Sequence, residues 1–362
     1  MTLSAASENN FPQARFGPSY LSVTLKSVLS PPTGEMKCQA LLGDASDRSY
    51  FRVTFQTGPN SKDPVSVIVM QLQEPVAQPE TDFTRVLKFL RGLGLPAPQL
   101  YHYDIEKGLL FLEDCGVQTL EDRLGESPRD RDRLYRQAVE LLVQMQTRAT
   151  RALNPECPAW HLQFDVEKLM WEFDFMLDHY VGGVCESLLA GEERRKVREA
   201  FVPLCETLAA QELCFTHRDY HSRNLMVDAD RLVMIDFQDA RQGPCQYDLV
   251  SLLKDSYAQI DDAMRDELID FYIRLKEKEE GREVDREEFD RVFDWMSVQR
   301  NLKAVGTFAF QSVKKNNDRY MKCIPPTLGY VRQTLDRRFA DSPLREILLK
   351  HIPGLDGEGV AQ

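Results

Sequence analysis

The sequence predicts an α+β chain in two lobes, a small β-rich one followed by a larger helical one. Up to about Asp114, short aromatic and β-branched runs are separated by turn clusters, the pattern of a small sheet. Beyond it, apolar residues recur at helical spacing over most of the chain. A strand–loop–strand stretch at 212–237 interrupts those helices. A length of 362 residues suits such a unit and is ample for a buried core. The expected organisation is a loose leader at 1–17, a first lobe at 18–114 and a second at 115–362.

The elements follow in order. "KCQALLG", "DASDRS" and "YFRVTF" read as strand, turn and strand between Lys37 and Phe55. "GPNSKDP" is a turn cluster, and "VSVIVMQL" is a third strand. Phe83, Val86, Leu87 and Leu90 form a helical stripe that "RGLGLPAP" ends. "QLYHYD" and "GLLFLED" supply two more strands. In the second lobe, Leu134, Ala138, Leu141, Leu142 and Met145 share one helical face. "FDVEKLMWEFDFMLDHYV" is too rich in large apolar residues for one narrow stripe, and it reads as helix packing. "ELCFTH", "NLMVD" and "RLVMIDF" are short strands, and 247–345 returns to helix. "RLKEKEEGREVDREEFDR" reads as a solvated helix face and loop.

Composition narrows the function. The net charge of −12 argues against non-specific binding to nucleic acid or an anionic membrane. No apolar stretch approaches the roughly 18 residues of a spanning helix. The eight cysteines include no C-x-x-C pair and sit in apolar contexts, as reduced thiols of a cytosolic protein do. The first sixteen residues lack the pattern of a signal peptide. A cytoplasmic location is the expectation.

The chemistry is densest in "THRDYHSRNLMV". His217 and His221 are four apart, the spacing of helical zinc ligands, but Arg218 stands where such sites carry a glutamate, and the flanking strands imply a loop. A charged surface loop leaves the downstream pattern unexplained. Asn224 follows Asp219 by five positions, and Asp236 ends the next apolar strand, twelve positions on. Phosphoryl transfer needs an acceptor-only group beside the attacking hydroxyl and oxygen ligands for Mg²⁺ near the phosphates. Asp219 fits the first role, Asn224 and Asp236 the second. "HRDYHSRN" followed by "IDF" is the H-R-D-x-x-x-x-N and D-F-G arrangement of kinases, with Gln238 in place of the glycine. The kinase-like fold, a nucleotide and Mg²⁺ are therefore expected.

The rest of that template is uneven. On the first hairpin, Gly43, Ala45 and Ser46 are small enough for close approach to phosphate. Leu112, Glu113 and Asp114 end a strand where backbone groups could meet an adenine edge, although a plain strand end reads as well. The third strand lacks the lysine for the α- and β-phosphates, with Met70 or Gln71 about where it should be. Arg48 and Arg52 are candidate substitutes, or ordinary exposed arginines.

With these residues the chain resembles the aminoglycoside phosphotransferase superfamily, kinase-like enzymes that phosphorylate small molecules. Within it, "GDASDRSYFR", "IDFQDARQGPCQYDLVSLL" and Gln299, Arg300, Leu302, Lys303, Gly306 and Phe308 resemble a branch of bacterial anomeric kinases for N-acetylmuramate and N-acetylglucosamine, which serve cell-wall recycling. That branch also lacks the strand lysine. The resemblance spans roughly 36–340 and departs at "AFQSVKKNNDRYM". It implies ATP and Mg²⁺, a small amino sugar as acceptor, a sugar 1-phosphate as product, Asp219 as the catalytic acid–base group and Asp248 as a loop-steadying acid. Arg300 or Lys303 would meet the lactyl carboxylate of muramate, or else form ion pairs. A kinase for a cationic acceptor such as an aminoglycoside or choline stays open, with Glu172, Asp174 and Asp178 as acids for its amines. So does a nucleotide-binding scaffold without turnover.

Overall fold

The computed structural model describes residues 14–29, 31–41, 48–57, 64–75, 78–187, 189–229 and 231–357. Gly43, Ala45 and Ser46 lie outside them.

The first lobe opens with helix α1 (Pro18–Val28), which the sequence reading did not anticipate. Its mixed Ser/Thr composition hides a short stripe of Leu21, Thr24 and Leu25. Ahead of it, Phe16 is buried and meets Phe51 edge-on at 5.3 Å, and the Arg15 N–H donates to Gln71 Oε1 at 2.7 Å. Residues 14–17 are therefore docked rather than loose. Strands β1 (Thr33–Leu41), β2 (Ser49–Gln56) and β3 (Val65–Gln71) precede α2 (Asp82–Gly92), followed by β4 (Leu100–Asp104) and β5 (Leu109–Glu113). They form an antiparallel sheet in the order β1-β2-β3-β5-β4. The strand period of two splits the sheet between two cores. Val67 and Val69 pack with Phe51, Val53 and Phe111 under α1, whereas Met70, Leu110 and Leu112 join the large core shared with α2. A reciprocal Thr81–Thr84 capping box starts α2, and Phe83, Val86, Leu87 and Leu90 are its buried stripe, as their spacing predicts.

The second lobe begins with β6 (Gln118–Thr119) and α3 (Leu120–Glu126), then α4 (Arg131–Ala152), α5 (Val166–Met176) and α6 (Gly191–Ala209). The dense aromatic stretch is α5 and the wide-turned π segment Leu177–Val184 that continues it. Its Phe173, Met176, Leu177 and Tyr180 are buried, but Trp171 is exposed. Short strands β7 (Leu213–Thr216), β8 (Leu225–Asp228), β9 (Arg231–Met234) and β10 (Arg241–Pro244) follow. β10 pairs with β7, and β8 lies between β6 and β9. The chain ends in α7 (Gln246–Leu253), α8 (Asp262–Glu280), α9 (Arg286–Lys315), α10 (Ile324–Arg338) and α11 (Pro343–His351). The charged run splits into the end of α8, a left-handed Gly281 that stops it, and α9 restarted by an Asp285 cap. The long α9 is the spine of this lobe. At Gly306 it crosses α5 so closely that a Cβ would lie 2.7 Å from Met176 Cα.

Among the described residues no helix is long and apolar enough to cross a membrane, and all eight cysteines are free thiols.

Candidate active site

The β7–β8 loop carries Asp219, and buried acids hold its shape. Asp248, in the first turn of α7, accepts the main-chain N–H groups of His217 at 2.7 Å and Arg218 at 3.0 Å. Burial pushes the Asp248 carboxyl up to about 7, against the pull of those two bonds. Asp255 accepts from the Ser222 N–H at 2.9 Å, and the Tyr220 hydroxyl donates to the Ala138 carbonyl at 2.8 Å. Arg218 adopts a left-handed φ of 78°, a strained conformation for a side-chain-bearing residue. Burial holds the His217 imidazole down to about 4, so it is neutral at pH 7; its ring packs edge-on against Tyr220 and Phe237. Burial and the Arg300 charge bring His221 down to about 3. Among the described residues no group of three or more His, Cys, Asp or Glu could hold a metal ion by itself.

Asp219 meets a cation from a distant element. Lys303 Nζ of α9 donates to Asp219 Oδ1 at 2.9 Å. Burial alone would raise the Asp219 carboxyl, but the charges of Lys303 and Arg218 outweigh it and hold Asp219 well below the usual carboxylate range. Asn224, at the far end of the loop, donates through Nδ2 to the Asp219 carbonyl at 2.9 Å. Asp236 follows β9 at a left-handed φ of 63° and accepts from Gln238 Nε2 at 2.7 Å. Next to it, Phe237 stacks on Phe83 of α2 at 5.3 Å, which ties this turn to the first lobe. Enclosure in the cleft raises the Asp236 carboxyl; Gln238 opposes this, and the Asp219 charge adds to it.

Two cavities meet here. The first, about 310 Å³, lies between the lobes, with Leu41, Tyr50, Arg52 and Ile68 from the sheet and Met226 and Ile235 from the second lobe. Leu112, Glu113 and Asp114 also line it. The second, about 230 Å³, includes Arg218, Asp219, Arg300, Lys303, Tyr257 and Tyr320. Asn224 and Asp236 line both.

The remaining candidates separate. Arg48 lies 5.6 Å from the Phe83 ring centre, and its charge acts on Asp236. Arg52 instead binds the Asp114 carboxylate through two nitrogens, at 2.7 and 3.0 Å. Glu113 accepts from Arg231 at 2.6 Å and from the Gln99 N–H at 3.0 Å. Of the residues that stand where the strand lysine is missing, Met70 is buried in the core and Gln71 accepts from the Arg15 N–H. Arg300 lines the second cavity while its Nε donates to Ser251 Oγ at 2.9 Å. Glu172 does not line that cavity. Its carboxylate is 1% exposed in the α5–α9 seam, where Oε2 accepts from Gln299 at 2.8 Å and Oε1 lies 3.7 Å from Arg218. Its helix face, invisible in composition, turns it into the seam. Asp174 and Asp178 pair with Arg194, and Asp174 also with Arg198.

The model of the phosphotransferase enzyme family matches residues 37–287. The chain belongs to this family. It is 32% identical over 314 residues to the N-acetylmuramate/N-acetylglucosamine kinase of Neisseria meningitidis, covering 85% of this chain and 88% of the relative. A choline/ethanolamine kinase family protein from Mesorhizobium loti superposes with a TM-score of 0.55 at 16% identity, covering 91% of this chain and 97% of that one. The streptomycin–ATP–APH(2")-IIa ternary complex superposes with a TM-score of 0.54 at 14% identity, covering 88% of this chain and 94% of that one. At such identities the two structures establish the kinase-like, two-lobed fold that the sequence predicted.

The sequence reading of this phosphotransferase missed the aromatic wall of the second cavity. Tyr257, Phe308 and Tyr320 form it, with Phe308 and Tyr320 parallel at 5.8 Å and Tyr257 edge-on to Phe308. Arg223 lies 3.8 Å over the Tyr257 ring. Phe308 is among the residues that carry the family resemblance, but Tyr257 and Tyr320 come from separate segments with no shared periodicity, so no local signal marks them as its neighbours. Tyr320 lies within the stretch where the family resemblance departs.

Proposed function

We propose that the protein transfers the γ-phosphoryl group of ATP to the anomeric hydroxyl of N-acetylmuramate or N-acetylglucosamine. The observation that carries the acceptor class is the charge of the second cavity. Its cations are Arg218, Arg300 and Lys303, and the acids lining it are Asp219 and Asp236, both needed for the transfer itself. A cationic acceptor would meet repulsion there and find no spare carboxylate among the described residues. A neutral N-acetyl sugar, or the lactyl carboxylate of muramate, suits that lining. Tyr257, Phe308 and Tyr320 in the same lining offer apolar contact to a sugar ring. The named activity of the Neisseria relative supports the same class.

ATP suits the first cavity, with its base between the sheet and Met226 and Ile235, and its phosphates toward Asp236. Asn224 and Asp236 fit a resident Mg²⁺: they are oxygen donors at the seam of both cavities, and the raised Asp236 carboxyl is relieved by a nearby cation. When bound, the ion offsets charge on the transferring phosphoryl group. Asp219 orients the sugar hydroxyl and accepts its proton, which the ring oxygen renders more acidic than those of the other ring hydroxyls. Lys303 keeps Asp219 ionised and in place. Positioning and preorganised charge supply the remaining acceleration. The product suits recycling of cell-wall amino sugars in the cytoplasm, a reducing compartment compatible with eight free thiols.

The test is ATP consumption with an acceptor panel in the presence of Mg²⁺. Turnover with the two N-acetyl sugars, and none with choline or an aminoglycoside, is expected. Turnover confined to the cationic acceptors would refute the reading.

A further inference from the structure

The geometry points to a nucleobase role for Arg52: locked to Asp114, it forms a planar platform that stacks on the purine of the bound nucleotide, while the phosphates are met nearer Arg48. This rests on the nucleotide reading of the first cavity.

The Arg52 guanidinium is fixed along one edge. Nε donates to Asp114 Oδ2 at 2.7 Å, and Nη2 donates to Asp114 Oδ1 at 3.0 Å and to the Gly116 carbonyl at 2.7 Å. Such a two-pronged bond holds the guanidinium and carboxylate in fixed mutual geometry. Arg52 is 15% exposed and Asp114 only 7%, so the pair is screened little by solvent. A phosphate brought to Arg52 would approach the Asp114 carboxylate as well, and that repulsion cancels most of the attraction. A neutral π face meets no such penalty, and guanidinium groups stack well on aromatic rings.

The position in the sheet agrees. Arg52 is cross-strand partner to Ile68, and Ile68 to Leu112, two residues before Asp114. Arg52 therefore sits in the row that leads to the strand connecting the lobes. Ile68 flanks it in the roof of the cavity, with Met226 and Ile235 among the lining from the other lobe. That is a slot for a flat, largely apolar ring. Arg48 is four residues back along the chain, a separation of roughly 13 Å in extended backbone. It lies by Phe83 and acts on Asp236, at the end where the phosphates are read to be.

Binding of adenosine, ATP and inorganic tripolyphosphate to the whole protein separates base from phosphate contributions. The double change Arg52→Leu with Asp114→Leu removes both charges together, and the Gly116 carbonyl and N–H lose their side-chain partners. It should weaken adenosine and ATP by the same factor, on the order of tenfold, and leave tripolyphosphate unchanged. Arg52→Lys, which keeps the charge but not the plane, should act in the same direction, and it serves if the double variant does not fold. Arg48→Leu should weaken ATP and tripolyphosphate and spare adenosine. Loss of tripolyphosphate binding with adenosine intact in the Arg52 variants overturns the inference, as does a wild-type protein that binds ATP but no adenosine. A wild-type protein that binds neither refutes the nucleotide reading itself.

Discussion

Replacing Lys303 by methionine removes the cation beside Asp219 while keeping most of its apolar volume. The two charged atoms are 2.9 Å apart, and the side chains are 12% and 25% exposed. At an effective dielectric of about 20, unit charges at that separation attract by roughly 6 kcal/mol, an upper figure that partial exposure and the other cations reduce. The sign follows from what remains. Burial raises the Asp219 carboxyl and Lys303 lowers it, so without Lys303 the carboxyl titrates at higher pH. Activity that needs ionised Asp219 is present above that pKa and lost below it, so the acid limb of the kcat profile moves up in pH. A carboxylate released from its partner is also less well placed, which costs about 10–100-fold in kcat. The assay is steady-state turnover across pH with sugar and ATP varied separately, and the KM for ATP should change less than about threefold, within the scatter of a residue that makes no nucleotide contact. An unmoved acid limb with unchanged kcat would refute the pairing as a catalytic device. A rise confined to the sugar KM would reassign Lys303 to acceptor binding.

Asp219→Asn keeps the shape of the site and removes the base; kcat should fall by about 10²–10⁴-fold while ATP affinity measured by calorimetry stays near wild type. Tyr320→Ala removes part of the aromatic wall and should raise the sugar KM by about tenfold with little effect on the KM for ATP, as kinetics on each substrate will show. Gly306→Ala pushes a methyl group onto the Met176 backbone; denaturant unfolding should show a loss of about 1–3 kcal/mol, and an unchanged midpoint would mean that the crossing of α5 and α9 yields easily.

What the sequence made legible was local. Asp219, Asn224 and Asp236 lie within one strand–loop–strand segment, so their spacing already brings them to one cavity, and the two-lobed fold follows from the switch between strand and helix periods. What it hid was convergence across distance. Lys303 reaches Asp219 from 84 residues away, and Arg52 finds Asp114 across 62, so neither pairing has a local trace. The same blindness left Arg48 and Arg52 undivided, as candidate phosphate ligands or ordinary exposed arginines, although their surroundings differ. It also made Glu172 a candidate for the acceptor, because charge in a helix sequence does not reveal which face it occupies. Helix α1 escaped notice because its polar residues dilute a stripe of three buried positions.

The most direct measurement is the phosphorus spectrum and reducing-end assay of the product formed from ATP, Mg²⁺ and N-acetylglucosamine or N-acetylmuramate. The account predicts a sugar 1-phosphate, with the reducing end lost in step with ATP consumed. A 6-phosphate that keeps its reducing end would contradict it.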